Sequence, residues 1–181
     1  KVPSGMPKDR FIEYQIQTAV AEADGFDVLT MGRPEGPGCY CYVNSVLRNV
    51  MGKLIKEYDF AIIDNEAGLE HLSRRTTREA DVLLVVSDAT AVGLRAAARI
   101  RQLTEELKIK TGKNLLLMNR TSEGDAEGII KDSKLDFIGA LPQDEAIERI
   151  SLDGRSLMGL SQEAPAFRAL LQLGDKIWQN R

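Results

Sequence analysis

The sequence predicts an α/β fold, a mostly parallel sheet with helices on both faces. Short, continuous apolar runs of strand length recur along the chain: FAIID (60–64), VLLVVS (82–87), NLLLMN (114–119) and FIGALP (137–142). Runs that are apolar at consecutive positions suit strands buried on both faces. Between them lie longer stretches whose apolar residues fall at helical spacing. Strands that alternate with helices make a parallel sheet with crossover helices.

Taken in order, the opening segment reads two ways. Ile12, Ile16, Ala19, Val20 and Ala23 fit a helix, whereas Tyr14, Ile16, Thr18 and Val20 alternate like a strand, with Asp24-Gly25 as a hairpin turn. The helix is the preferred reading. FDVLTMG (26–32) is a further strand candidate and runs straight into GRPEGPGCYC (32–41). Residues 43–58 form a helix with Val46, Leu47, Val50, Met51, Leu54 and Ile55 on one face. Residues 92–107 repeat the pattern with Leu94, Ala97, Ala98, Ile100, Leu103 and Leu107. Pro142 closes the fourth strand, because proline cannot continue a ladder. A last helix, 164–178, carries Phe167, Leu170, Leu171, Leu173 and Ile177. No linker or repeat interrupts the 181 residues, which read as one domain.

Composition narrows the function classes. Hydrophobic residues make up 43% and charged residues 28%, with a formal net charge of −3. That balance points away from nucleic acid and anionic membrane surfaces. No apolar run approaches the roughly 20 residues that span a bilayer, and the polar, proline-broken start has no signal-peptide pattern. Two cysteines supply no disulfide framework, so a cytoplasmic setting is expected.

Three strand ends carry polar residues. FAIID ends in Asp64, followed by Glu66 and Gly68, at the carboxyl edge where ligands of open parallel sheets bind. An acid there suits a Mg²⁺-bound water, and a glycine after it suits a loop that responds to phosphate. A strand-end acid that caps a turn is the plainer alternative. Asn119 and Arg120 end the next run, where an amide offers donor and acceptor to a purine edge. LPQDE (141–145), with Pro142 and Asp144, follows the last strand and is placed to wall a base pocket.

Both cysteines, Cys39 and Cys41, stand one residue apart behind glycines and prolines. A disulfide across so short a loop is strained. In an extended or turned loop, side chains at i and i+2 can face the same way. Two thiolates provide half of a tetrahedral zinc or nickel site, and the same loop of a second copy can provide the rest about a twofold axis. The alternative is two small apolar thiols packed in a core. His71, the single histidine, is read as a surface imidazole.

Together GRPEGPGCYCYVN, YDFAIIDNEAGLEHLSRR, LLLMNR and IGALPQDEAI resemble the CooC-type nickel-insertion ATPases of carbon monoxide dehydrogenase maturation, within the MinD and nitrogenase-iron-protein group of P-loop ATPases. The resemblance implies a P-loop NTPase-like fold of the SIMIBI type and a cytoplasmic metallochaperone that binds ATP or ADP with Mg²⁺ and forms a homodimer. It implies Ni²⁺ or Zn²⁺ held by Cys39 and Cys41, and delivery of nickel to carbon monoxide dehydrogenase or a related nickel enzyme. Asp64 would be the acid near Mg²⁺, with Glu66 and Gly68 in the switch. Asn119, Arg120, Pro142 and Asp144 would line the adenine side.

One element of that family is missing from these residues. GK occurs only at Gly52-Lys53 and Gly112-Lys113, neither followed by Ser or Thr, so there is no glycine-rich phosphate loop. The expectation is a C-terminal portion of such an ATPase, unable by itself to hydrolyse ATP and with apolar surface exposed. Two other classes remain: a non-catalytic metal carrier or scaffold that uses the Cys-x-Cys loop, and an iron–sulfur electron-transfer ATPase.

Overall fold

A three-stranded parallel sheet organises the second half of the chain. In the computed structural model the described residues are 3–30, 41–65, 79–122 and 134–178. They belong to two compact units, Lys1–Thr77 and Arg78–Arg181.

In the second unit β3 (Glu79–Ser87), β4 (Lys110–Asn119) and β5 (Asp136–Leu141) lie side by side in that order, all parallel. The apolar runs at 82–87, 114–119 and 137–141 are thus strands. β4 is central, and its residues 115–118 are all buried. Alternation sends Leu116 and Met118 to one face and Leu115 and Leu117 to the other. Helix α3 (Ala91–Glu106) packs on β3 and β4, and helix α5 (Pro165–Trp178) packs on β5. The core gathers Val85, Leu94, Ala97, Leu116, Met118, Leu135 and Ala140. Leu94 and Ala97 are one helical turn apart, so α3 presents them together.

Leu116 is fully buried at 0% exposure, between strands that leave its cavity little freedom to collapse. Leu116→Ala should therefore destabilise this unit by about 3 kcal/mol. A urea midpoint that does not move would show that the core is not packed as described.

The first unit holds α1 (Lys8–Thr18), the strands β1 (Val20–Ala23) and β2 (Phe26–Leu29), and α2 (Cys41–Leu54), which tightens into a 3₁₀ turn at Ile55–Glu57. Helix α1 contacts α2, and Lys53 reaches Glu13 at 3.1 Å. The two readings of the opening segment are both partly realised. The helix covers 8–18, then the chain turns at Asp24-Gly25 into an antiparallel hairpin pairing Val20 with Leu29 and Ala23 with Phe26. Gly25 takes φ 82°, a conformation glycine adopts without a Cβ clash. Tyr58 donates a 2.5 Å hydrogen bond from its hydroxyl to Asp27 Oδ2, anchoring β2.

One strand expectation fails. Residues 60–64 belong to neither sheet, and Ile62 and Ile63 are 85% and 45% exposed. An apolar run becomes a strand only when a neighbour completes its ladder, and no described strand does so here. Of the 26–32 candidate, the described residues pair only in the hairpin, over Phe26–Leu29, and not in the parallel sheet.

Candidate functional site

The carboxyl ends of β3, β4 and β5 form one edge, and polar residues collect on it. The register pairs Ser87 with Met118 and Asn119 with Leu141. Asp88, Asn119, Arg120 and the 142–144 segment therefore leave adjacent strands at the same level. Asn119 is half-buried at the end of β4. Arg120 then enters the left-handed region at φ 57°, and the amide of Thr121 donates to Leu141 O at 3.0 Å. One further hydrogen bond thus joins the two strand ends beyond the turned-out residue. A non-glycine residue there costs about 1 kcal/mol, and such strain gathers at functional sites.

Asp144 is buried and anchors two helices. Its Oδ1 accepts from Ala146 N at 2.9 Å, capping α4 (Glu145–Leu152), and its Oδ2 accepts from Ala166 N at 3.0 Å in the first turn of α5. The Ala166 bond, aided by those from Ala146 and Ile147, holds the carboxyl below its ordinary range against the opposing effect of burial. Both oxygens are engaged by backbone amides, so the side chain fixes the turn after β5. Pro142 and Gln143 stand on that turn, and Gln143 donates to Glu148 at 2.6 Å.

Asp88 was not singled out from the sequence. Its Oδ1 accepts from the Thr90 amide at 3.2 Å and the Thr90 hydroxyl at 2.6 Å, while Thr90 Oγ1 caps α3 through Gly93 N at 3.0 Å. The Thr90 hydroxyl and amide lower its pKa, and the charge of Arg120 adds to the effect. The signal in the sequence was SDATAVG (87–93), a strand end running into a threonine cap.

Asp64 stands in the first unit at the end of the exposed 60–64 segment. A carboxylate is a hard oxygen donor of the class that Mg²⁺ prefers. Cys41 opens α2. Cys39, Glu66, Gly68 and His71 lie outside the described residues. Among the described residues no three His, Cys, Asp or Glu side chains cluster as a metal site. No described helix is long and apolar enough to cross a membrane.

The chain is 38% identical over 180 residues to the uncharacterized ATP-binding protein MJ0685 of Methanocaldococcus jannaschii, covering 98% of this chain and 71% of the relative. It is 32% identical over 142 residues to the carbon monoxide dehydrogenase accessory protein CooC of Rhodospirillum rubrum, 76% of this chain but only 53% of that protein. It spans a similar share, 52%, of the ATP-binding protein MJ0823 of M. jannaschii. Among solved structures, the cell division ATPase MinD of Pyrococcus furiosus superposes with a TM-score of 0.68 at 18% identity, over 99% of this chain and 78% of that one. MinD in the MinC:MinD complex of Aquifex aeolicus gives 0.69 at 18% identity, over 94% and 71%. At such identities the likeness is one of fold. No protein-family model matches the chain.

Proposed function

The chain belongs to the MinD/ParA-like family of P-loop ATPases, with a parallel sheet and helices, and on that premise we propose that its β3–β5 edge binds the base of an adenine nucleotide. The observation that carries the reading is the convergence of Asn119, Arg120 and the 142–144 turn on one carboxyl edge. The relatives' names support it, since MJ0685 and MJ0823 are described as ATP-binding.

Each residue has a distinct task in this reading. Asn119 offers its amide oxygen and nitrogen to the purine edge. Arg120 lays a guanidinium against the ring face. Asp144 positions the Pro142-Gln143 turn that walls the pocket. Asp64 is the acid for a Mg²⁺-bound water, with Glu66 and Gly68 in the loop that responds to phosphate. Bound Mg²⁺ supplies charge neutralisation at the phosphate oxygens. These 181 residues contain no glycine-rich phosphate loop, so ATP turnover by this chain alone should be undetectable.

The finer role proposed is metal handling. Cys39 and Cys41 are proposed to hold a thiophilic cargo ion, nickel or zinc, together with the same pair of a second chain. The recipient is carbon monoxide dehydrogenase or a related nickel enzyme. The 32% identity to CooC supports this.

ADP titration tests the nucleotide reading. Arg120→Gly should weaken ADP binding while stability holds or rises by about 1 kcal/mol, because glycine accepts the left-handed backbone. Unchanged ADP affinity in both Arg120→Gly and Asn119→Ala contradicts the reading.

A further inference from the structure

Asp88 closes a turn that an uncharged acceptor could also close, yet it is an acid. The Thr90 amide and the Thr90 hydroxyl both donate to its Oδ1. That turn requires an acceptor, and the amide oxygen of asparagine would also serve, without the charge assistance. The carboxylate is also held in place. A Cβ at Gly93 would strike Asp88 Oδ1 and Ser87 Oγ, so the start of α3 is pressed against it. Across the ladder, the pairing of Ser87 with Met118 sets Asp88 beside Asn119, with Arg120 next in sequence. Among the described residues, Arg120 is the cation whose field acts on Asp88. It does so through space, without a direct ion pair.

We propose that Asp88 is a positioning residue, a fixed carboxylate that steers the Arg120 guanidinium at the base side of the nucleotide site. This rests on the nucleotide reading above. The flexible arginine alone would sample many rotamers, and ordering it is an entropic cost at binding. A stationary negative charge on the neighbouring strand end biases those rotamers before the base arrives. The interaction is exposed at the arginine end, so its effect is modest and screened by salt.

The test compares the chain with Asp88→Asn, Asp88→Ala and Arg120→Ala, using ADP as the probe. Asp88→Asn keeps an acceptor for Thr90 and loses only the charge assistance of those bonds, so its melting temperature should fall less than that of Asp88→Ala, which also loses the turn. Asp88→Asn should weaken ADP about threefold in low salt, and the difference should shrink in high salt. The Arg120 Nε–H resonance should move in Asp88→Asn even without nucleotide, which a purely structural turn residue would not cause. If Arg120→Ala weakens ADP but Asp88→Asn leaves both the affinity and the resonance unchanged, the positioning role is overturned and the nucleotide reading survives. If wild type and every variant bind ADP alike, or none binds it, both are overturned.

Discussion

Cys39→Ser should remove bound metal entirely. On the proposed reading, native mass spectrometry of the wild-type chain with added nickel or zinc shows one ion per two chains. The serine variant shows none and remains monomeric under the same conditions. The expectation follows from ligand chemistry. The sequence holds two cysteines and one histidine, so one chain cannot supply the four thiolate or imidazole donors of a tetrahedral zinc-type site. A twofold pairing of Cys39 and Cys41 supplies four thiolates, and a hydroxyl is a poor substitute for any of them. Because only deprotonated thiols bind, affinity should also fall as the solution is acidified. Metal retained by Cys39→Ser would assign the ion to other groups and leave the loop a structural turn.

Asp144→Ala should give the largest effect of any surface-edge substitution on stability. The carboxylate serves two helices at once, through Ala146 N at the start of α4 and Ala166 N at the start of α5. Alanine strands both amides, each an orphan donor at a helix end. A loss of about 5 °C in melting temperature is expected. Its pH signature is distinct. The folded-state pKa is depressed, chiefly by the Ala166 bond, so this contribution is complete above the unfolded value of about 4. It is lost as pH falls through the lower folded value. The wild-type advantage over Asp144→Ala should therefore be constant from pH 5 upward and vanish in acid. An advantage that persists below the depressed value would assign the stabilisation to packing instead.

Much of the second unit was legible in the sequence. The runs 82–87, 114–119 and 137–141 are all strands, but burial on both faces holds for the central run alone, since β3 leaves Leu84 and Val86 37% and 53% exposed. Residues 60–64 carry the same signature and form no strand. Composition reports a need for burial, whereas a strand is a relation to a partner, and residues 60–64 join neither sheet. The opening segment mixed two periods because it contains two elements, a helix to Thr18 and a hairpin from Val20.

The site was legible in part. Asn119 and Arg120 were found because they end an apolar run. Asp88 ends another, yet the run appeared to stop at Ser87 and the acid passed as loop. Asp144 was read as a pocket wall, and its two amide partners explain why sequence could not say more. Ala166 lies 22 residues away, a tertiary contact that no local pattern encodes.

The most direct test of the central claim is a titration of ¹⁵N-labelled chain with ADP, followed residue by residue. The account predicts that the Asn119 side-chain amide and the backbone amides of Arg120, Thr121 and Gln143 shift together and saturate along one binding curve. Shifts confined to other regions, or none at millimolar ADP, would contradict it.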